Sequence, residues 1–79
     1  FLVKIIRIKP RSKISVKYLS KRSEHWIVSK GEATILSEDK VIQLKKSQLI
    51  HPVIGQKYKI LNNSNSILEF IQIQIDKTL

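Results

Sequence analysis

Few side chains in this sequence can do chemistry, and most of them sit in one short stretch. The segment "KRSEHW", Lys21 to Trp26, places two cations, a carboxylate, an imidazole and an indole within six residues. Imidazole and carboxylate together suit a divalent transition metal or proton transfer. A guanidinium such as Arg22 can clamp a phosphate through two parallel hydrogen bonds. The supply of such groups is thin. There are two histidines, His25 and His51, and no cysteine. Adjacent residues of a strand point to opposite faces, so Glu24 and His25 do not share a site. His51 precedes Pro52 at a turn and has no partner histidine at metal-ligand spacing. There is no Ser–His–Asp pattern, no carboxylate pair placed for acid–base work and no glycine-rich phosphate loop. Trp26, followed by Ile27 and Val28, reads as core rather than as a sugar-stacking platform.

The elements that must position these groups are strands. "VKIIRIK" alternates, with Val3, Ile5 and Arg7 on one face and Lys4, Ile6 and Ile8 on the other. "KISVKYL" sets Ile14, Val16 and Tyr18 against Ser15, Lys17 and Leu19. "EHWIVSK", "EATILSE", "KVIQLKK", "SQLIHPV", "KYKILNN" and "ILEFIQIQI" continue the period of two, rich in β-branched residues. In the last run Ile67, Ile71, Ile73 and Ile75 share one face, and Leu68 and Phe70 take the other. Breaks at Pro10, Gly31, "SEDK", "HPVIG" and "NNSNS" have turn chemistry. About eight short strands without a helical stripe predict an all-β jelly roll or barrel, one domain over residues 1–79.

Composition bounds the rest. A chain of 79 residues buries roughly 60–65% of its unfolded surface, and without cysteine it has no covalent staple. Such a domain gains burial by pairing with a copy of itself, so a homodimer is expected. No run of about 18 apolar residues occurs, so a helical membrane span is not expected. The opening segment lacks the features of a signal peptide, and the cytoplasm is the expected compartment. The net charge of +9 comes from 15 basic and 6 acidic residues, with the lysines scattered along the chain. Five dispersed aromatics and no strand motif mixing aromatic and basic residues argue against a nucleic-acid-binding barrel. The charge reads first as lysine enrichment that travels with isoleucine and asparagine, as in an AT-rich genome, and second as a basic face for a phosphorylated ligand.

The block Arg22, Glu24, His25, Trp26, Val28, Gly31 and Ala33 resembles the first motif of the cupin superfamily. The form is that of bacterial mannose-6-phosphate isomerases of the second type, which is also the C-terminal part of bifunctional mannose-1-phosphate guanylyltransferases. Val3, Lys4, Ile6, Ile8 and Pro10 match the family's opening, and Ile14 to Val16 its "LSL". Pro52, Asn62, Leu68, Ile71 and "QIQ" at Gln72 to Gln74 match its later pattern. The resemblance covers essentially the whole chain. It implies a cupin-type jelly roll, or double-stranded β-helix, here cut close at both ends.

The resemblance also implies a metal held by two histidines of an H-x-H, one glutamate and a third histidine. At those positions this chain has Leu19, Lys21, Glu24 and Tyr58. Leucine cannot ligate, and a lysine ammonium repels a cation. No metal, cofactor or catalytic residue is therefore expected. A Lys21–Glu24 ion pair would replace the metal–carboxylate bond, since an unpaired buried carboxylate is costly. Lys21, Arg22, Glu24 and Tyr58 are the candidate ligand-binding residues, with a sugar phosphate as the implied ligand. The expectation is a degenerate, metal-free cupin domain, inactive as an isolated chain. The alternatives are an active isomerase with altered ligands and a basic nucleic-acid-binding barrel.

Overall fold

The computed structural model describes residues 2–18 and 23–75. Strands β1 (Leu2–Ile8), β2 (Ser12–Lys17), β3 (Ser23–Lys30), β4 (Ala33–Ser37), β5 (Lys40–Leu44), β6 (Leu49–Ile50), β7 (Lys57–Asn62) and β8 (Leu68–Ile75) follow in order. They form two antiparallel four-stranded sheets, β1-β8-β3-β6 and β2-β7-β4-β5. The all-β jelly roll expected from the alternation is the observed fold. "SQLIHPV" yields a shorter strand than its pattern suggests: only Leu49 and Ile50 pair, with Ile27 and Trp26. Pro52 has no amide hydrogen to donate, so the run cannot extend as a ladder.

Alternation sorts each strand into an inner and an outer row. The inner rows bury Ile8, Trp26, Val28, Leu68 and Phe70 from the first sheet against Ala33, Ile35, Leu44, Tyr58 and Ile60 from the second. Trp26 spans the sandwich, its ring 5.2 Å from that of Tyr58, 6.1 Å from Tyr18 and 6.3 Å from Phe70. Edge-to-face and tilted arrangements of this kind suit the aromatic quadrupole.

The outer rows differ sharply between sheets. On the second sheet Lys13, Lys17, Lys57 and Lys59 all point outward, with Lys17 directly opposite Lys57. Lysines scattered in sequence are thus gathered on one face, where opposed like charges destabilise the sheet slightly. On the first sheet Ile5, Ile71, Ile27 and Leu49 lie in direct register across all four strands. As expected, Ile71, Ile73 and Ile75 face away from Leu68 and Phe70; Ile67 precedes the strand.

Two polar fixtures hold the end of the sandwich opposite the candidate site. Asn62 is fully buried at the end of β7. Its amide nitrogen donates to the carbonyls of Ile8 (3.0 Å), Lys9 (3.2 Å) and Ser66 (2.7 Å). Its oxygen accepts from Ser64 N (3.1 Å) and Ser64 Oγ (2.8 Å). One side chain thereby ties the β1–β2 turn to the β7–β8 loop. Gly31 leaves β3 with φ +79°, where a side chain is strained, and a Cβ there would press at 3.3 Å on the Ile67 carbonyl oxygen, so both features favour glycine.

At the same end Glu69 accepts from Ser29 Oγ (2.8 Å) and Arg7 Nε (2.8 Å). The Ser29 hydroxyl holds its carboxyl below the ordinary value, against the opposing effect of desolvation and with help from Arg7.

Replacing Asn62 with alanine removes the donor to one buried and two part-buried carbonyls, so Asn62→Ala is expected to lower unfolding free energy by about 2–3 kcal/mol. Asn63→Ala, at an exposed neighbour, should change it by less than about 0.5 kcal/mol. Urea denaturation compares the two; equal effects would contradict the bridging role. For Glu69, a folded-state pKa below the ordinary 4.5 means its stabilisation is complete above that value. It is lost as pH falls through the lowered folded value. Glu69→Gln should flatten that part of the acid-unfolding profile, and an unchanged profile would contradict the assignment.

Candidate functional site

Strand polarity brings one set of ends together. The ends of β2, β4, β6 and β8 and the starts of β1, β3, β5 and β7 form one mouth of the sandwich. Inner-row positions that are apolar in mid-strand turn polar here. On β8 Leu68 and Phe70 give way to Gln72 and Gln74, and on β1 Ile8 and Ile6 give way to Lys4. That switch of residue type along a single face marks the mouth.

Trp26 is the floor of this mouth. Its side chain is buried, and its Nε1–H donates to Glu24 Oε1 at 2.9 Å. Two residues apart on one strand, the two side chains share the inner face. The other carboxylate oxygen, Oε2, accepts from Gln74 Nε2 at 3.1 Å, across the β3–β8 pairing in which Glu24 faces Gln74. Glu24 therefore holds a buried indole donor with one oxygen and a neighbouring strand with the other.

Tyr58 meets the opposite side of the same indole. It is buried, and its hydroxyl oxygen accepts from Val53 N at 2.8 Å. The hydroxyl lies 3.3 Å from Gln56 Oε1, which also accepts from Ser37 Oγ at 2.8 Å. These groups border a cleft of about 330 Å³ whose lining also includes Glu38, Asp39, Lys40 and His51. Glu24 borders a separate, much smaller cleft with Lys4, Gln72 and Gln74. Two carboxylates, a lysine and an imidazole, with serine, glutamine and tyrosine beside them, make a polar half-open cleft that suits a hydroxyl-bearing ligand.

The structure thus brings together Glu24 and Tyr58, on two sides of Trp26. Leu19, Lys21 and Arg22 lie outside the described residues, so the expected Lys21–Glu24 pair and the phosphate clamp from Arg22 do too. Sequence spacing gave no sign of the ring contact between His25 and His51, whose centroids are 4.4 Å apart. His25 lies on the outer side of β3, opposite to Glu24, as alternation required. Among the described residues no three histidine, cysteine, aspartate or glutamate side chains are placed to share a metal ion. Sequence reasoning missed Ser37, Gln56 and Gln74 as partners; the polar inner-row positions Gln72 and Gln74 were the signal available for the last.

The donor chemistry does not fit the metal that a cupin of this kind would hold. The resemblance puts leucine, lysine and tyrosine where it implies three histidines, and the carboxylate of Glu24 has both oxygens engaged. A transition-metal site takes three or four protein ligands.

Comparison with known proteins places this geometry in a lineage. The family described as "Mannose-6-phosphate isomerase C-terminal" matches residues 1–79. The alginate biosynthesis protein AlgA of Pseudomonas aeruginosa is 34% identical over 74 residues, covering 94% of this chain and 15% of that protein. A mannose-1-phosphate guanylyltransferase of Sinorhizobium fredii is 34% identical, covering 94% of this chain and 14% of the relative. The chain therefore spans about one-seventh of the length of these relatives. The cupin domain of Drosophila melanogaster CENP-C superposes with a TM-score of 0.78 at 20% identity, covering 92% of this chain and 59% of that one. That likeness concerns the fold alone. By a match along its whole length and by its sequence relatives, this cupin-fold chain belongs to the mannose-6-phosphate isomerase C-terminal family.

Proposed function

We propose that the chain is a metal-free member of this family whose mouth binds a hydroxyl-bearing anion, a sugar phosphate in the first instance. The observation that carries this is the engagement of Glu24. A carboxylate that accepts from a buried indole and from Gln74 is part of the wall, not a free ligand. Isomerisation of an aldose phosphate in this family would rely on a Lewis acid to polarise the carbonyl. The residues present do not supply one, and no isomerase step is derived for them. The phosphate would sit toward Lys40 and His51 and away from the carboxylates Glu38 and Asp39 of the same cleft, with Ser37, Gln56 and Tyr58 offering hydrogen bonds to hydroxyls.

The relatives named for alginate biosynthesis and for mannose-1-phosphate guanylyltransfer support a place in sugar-nucleotide and polysaccharide precursor synthesis, in the cytoplasm. Guanylyltransfer needs a nucleotide-binding unit that these 79 residues do not contain.

Elemental analysis after chelator treatment and zinc add-back should find far less than one metal per chain. Leu19→His, Lys21→His and Tyr58→His combined should raise this to about one, because three imidazoles and Glu24 complete a four-ligand set. Each single restoration should fail. Stoichiometric zinc in the unaltered chain, abolished by Glu24→Gln, would overturn the proposal. Mannose 6-phosphate should change the fluorescence of Trp26, the single tryptophan, in a saturable way that Lys40→Ala weakens. No response at millimolar ligand would remove the sugar phosphate from the reading.

A further inference from the structure

We propose that the outer face of the β2-β7-β4-β5 sheet docks on an anionic lipid surface, with its lysines among the headgroups. No aspartate or glutamate stands on any of the four strands of this sheet. Lys13 and Lys17 project outward from β2, and Lys57 and Lys59 from β7. The register sets Lys17 directly opposite Lys57 and Lys59 opposite Ser15, so four residues scattered in sequence form one cationic group. None of the four has a carboxylate partner among the described residues. Like charges opposed on a sheet face cost stability, and an anionic surface laid across them removes that cost.

The rest of the face is uncharged. The rows continue as Lys59, Leu36 and Val41, and as Leu61, Thr34 and Gln43, across β7, β4 and β5. Val41 is 65% exposed. The carboxylates Glu32, Glu38 and Asp39 flank β4 at its two ends and lie outside the β2–β7 pair. Beside Lys13, Arg11 and Ser12 border a shallow cleft that has no carboxylate in its lining. Arg11 Nε donates to Asn65 Oδ1 at 3.1 Å, which leaves the other guanidinium nitrogens for a phosphate.

The make-up of the face selects a bilayer over other anionic partners. Its outward positions carry no aromatic ring, so the bases of a nucleic acid have nothing to stack on. The core of a protein–protein interface is depleted in lysine, because the ammonium must give up its water there. Among lipid headgroups the ammonium stays hydrated while its apolar stem lies deeper. Val41 and Leu36, in line with Lys59, add apolar contact at the headgroup boundary. Each lysine near an anionic leaflet strengthens partitioning about fivefold, so four act together where one would not suffice.

Co-sedimentation of the 79-residue chain with vesicles tests this. The probes are vesicles of phosphatidylcholine alone and vesicles with roughly 30% phosphatidylserine. At low salt the chain should pellet with the anionic vesicles only, and about 0.5 M salt should release it, because screening then acts within about 4 Å. Lys17→Gln combined with Lys57→Gln should lower the partition coefficient about tenfold or more. Lys4→Gln combined with Lys30→Gln removes the same charge from β1 and β3 and should lower it by less than about threefold. The Lys17–Lys57 contact is repulsive, so the first double variant should keep or raise the thermal midpoint, which separates lost binding from lost fold. No binding to anionic vesicles at low salt, equal binding to phosphatidylcholine, or equal losses in the two double variants would overturn the proposal. A single-stranded oligonucleotide that binds more tightly than the vesicles at the same salt, and is released by Lys17→Gln with Lys57→Gln, would overturn it in favour of a nucleic acid.

Discussion

The indole of Trp26 sets the terms for the rest of the molecule. It is the largest fully buried side chain, and its N–H must find an acceptor in a place where water is excluded. Strand alternation offers one candidate on the same strand, the residue two positions back, and that residue is Glu24. Because the indole contacts Tyr18, Tyr58 and Phe70, its position couples the two sheets. Because Glu24 also accepts from Gln74, the same carboxylate couples β3 to β8. Glu24 is thereby committed to holding the core.

That commitment explains the division of labour around the mouth. Tyr58 fills the space on the far side of the indole, and its hydroxyl is fixed by Val53 N and lies beside Gln56. Space for a ligand remains toward the β4–β5 turn and His51, not between Glu24 and Tyr58. The opposite end is held by Asn62, which contributes through five hydrogen bonds rather than through apolar area. The two outer faces then differ in character: four lysines project from one, and the other carries the apolar row Ile5, Ile71, Ile27 and Leu49.

Much of this was legible in the residues. Period-two alternation gave the two faces of β1, β2 and β8 correctly, and the position of Trp26 followed from the apolar pair behind it. The opposite directions of Glu24 and His25 also followed from alternation alone. What could not be read were contacts between strands distant in sequence. Gln74 lies 50 residues from Glu24, and His51 lies 26 from His25; only the register of β3 with β8 and β6 brings them together. The gathering of Lys13, Lys17, Lys57 and Lys59 has the same origin, since the β2–β7 pairing joins residues 40 to 50 positions apart. The length of β6 was overestimated because Pro52 limits hydrogen bonding, which hydrophobic patterning does not register.

The central claim is that Glu24 serves the fold by accepting the Trp26 indole hydrogen. Hydrogen exchange of that single indole N–H, followed by ¹H–¹⁵N NMR, tests it most directly. The unaltered chain should show a strongly protected indole resonance, and zinc should leave it unmoved. Glu24→Gln, which keeps a carbonyl acceptor, should preserve most of the protection, whereas Glu24→Ala should lose it while the backbone spectrum stays folded. Protection indifferent to Glu24→Ala, or an indole resonance that zinc shifts in stoichiometric fashion, would contradict the account.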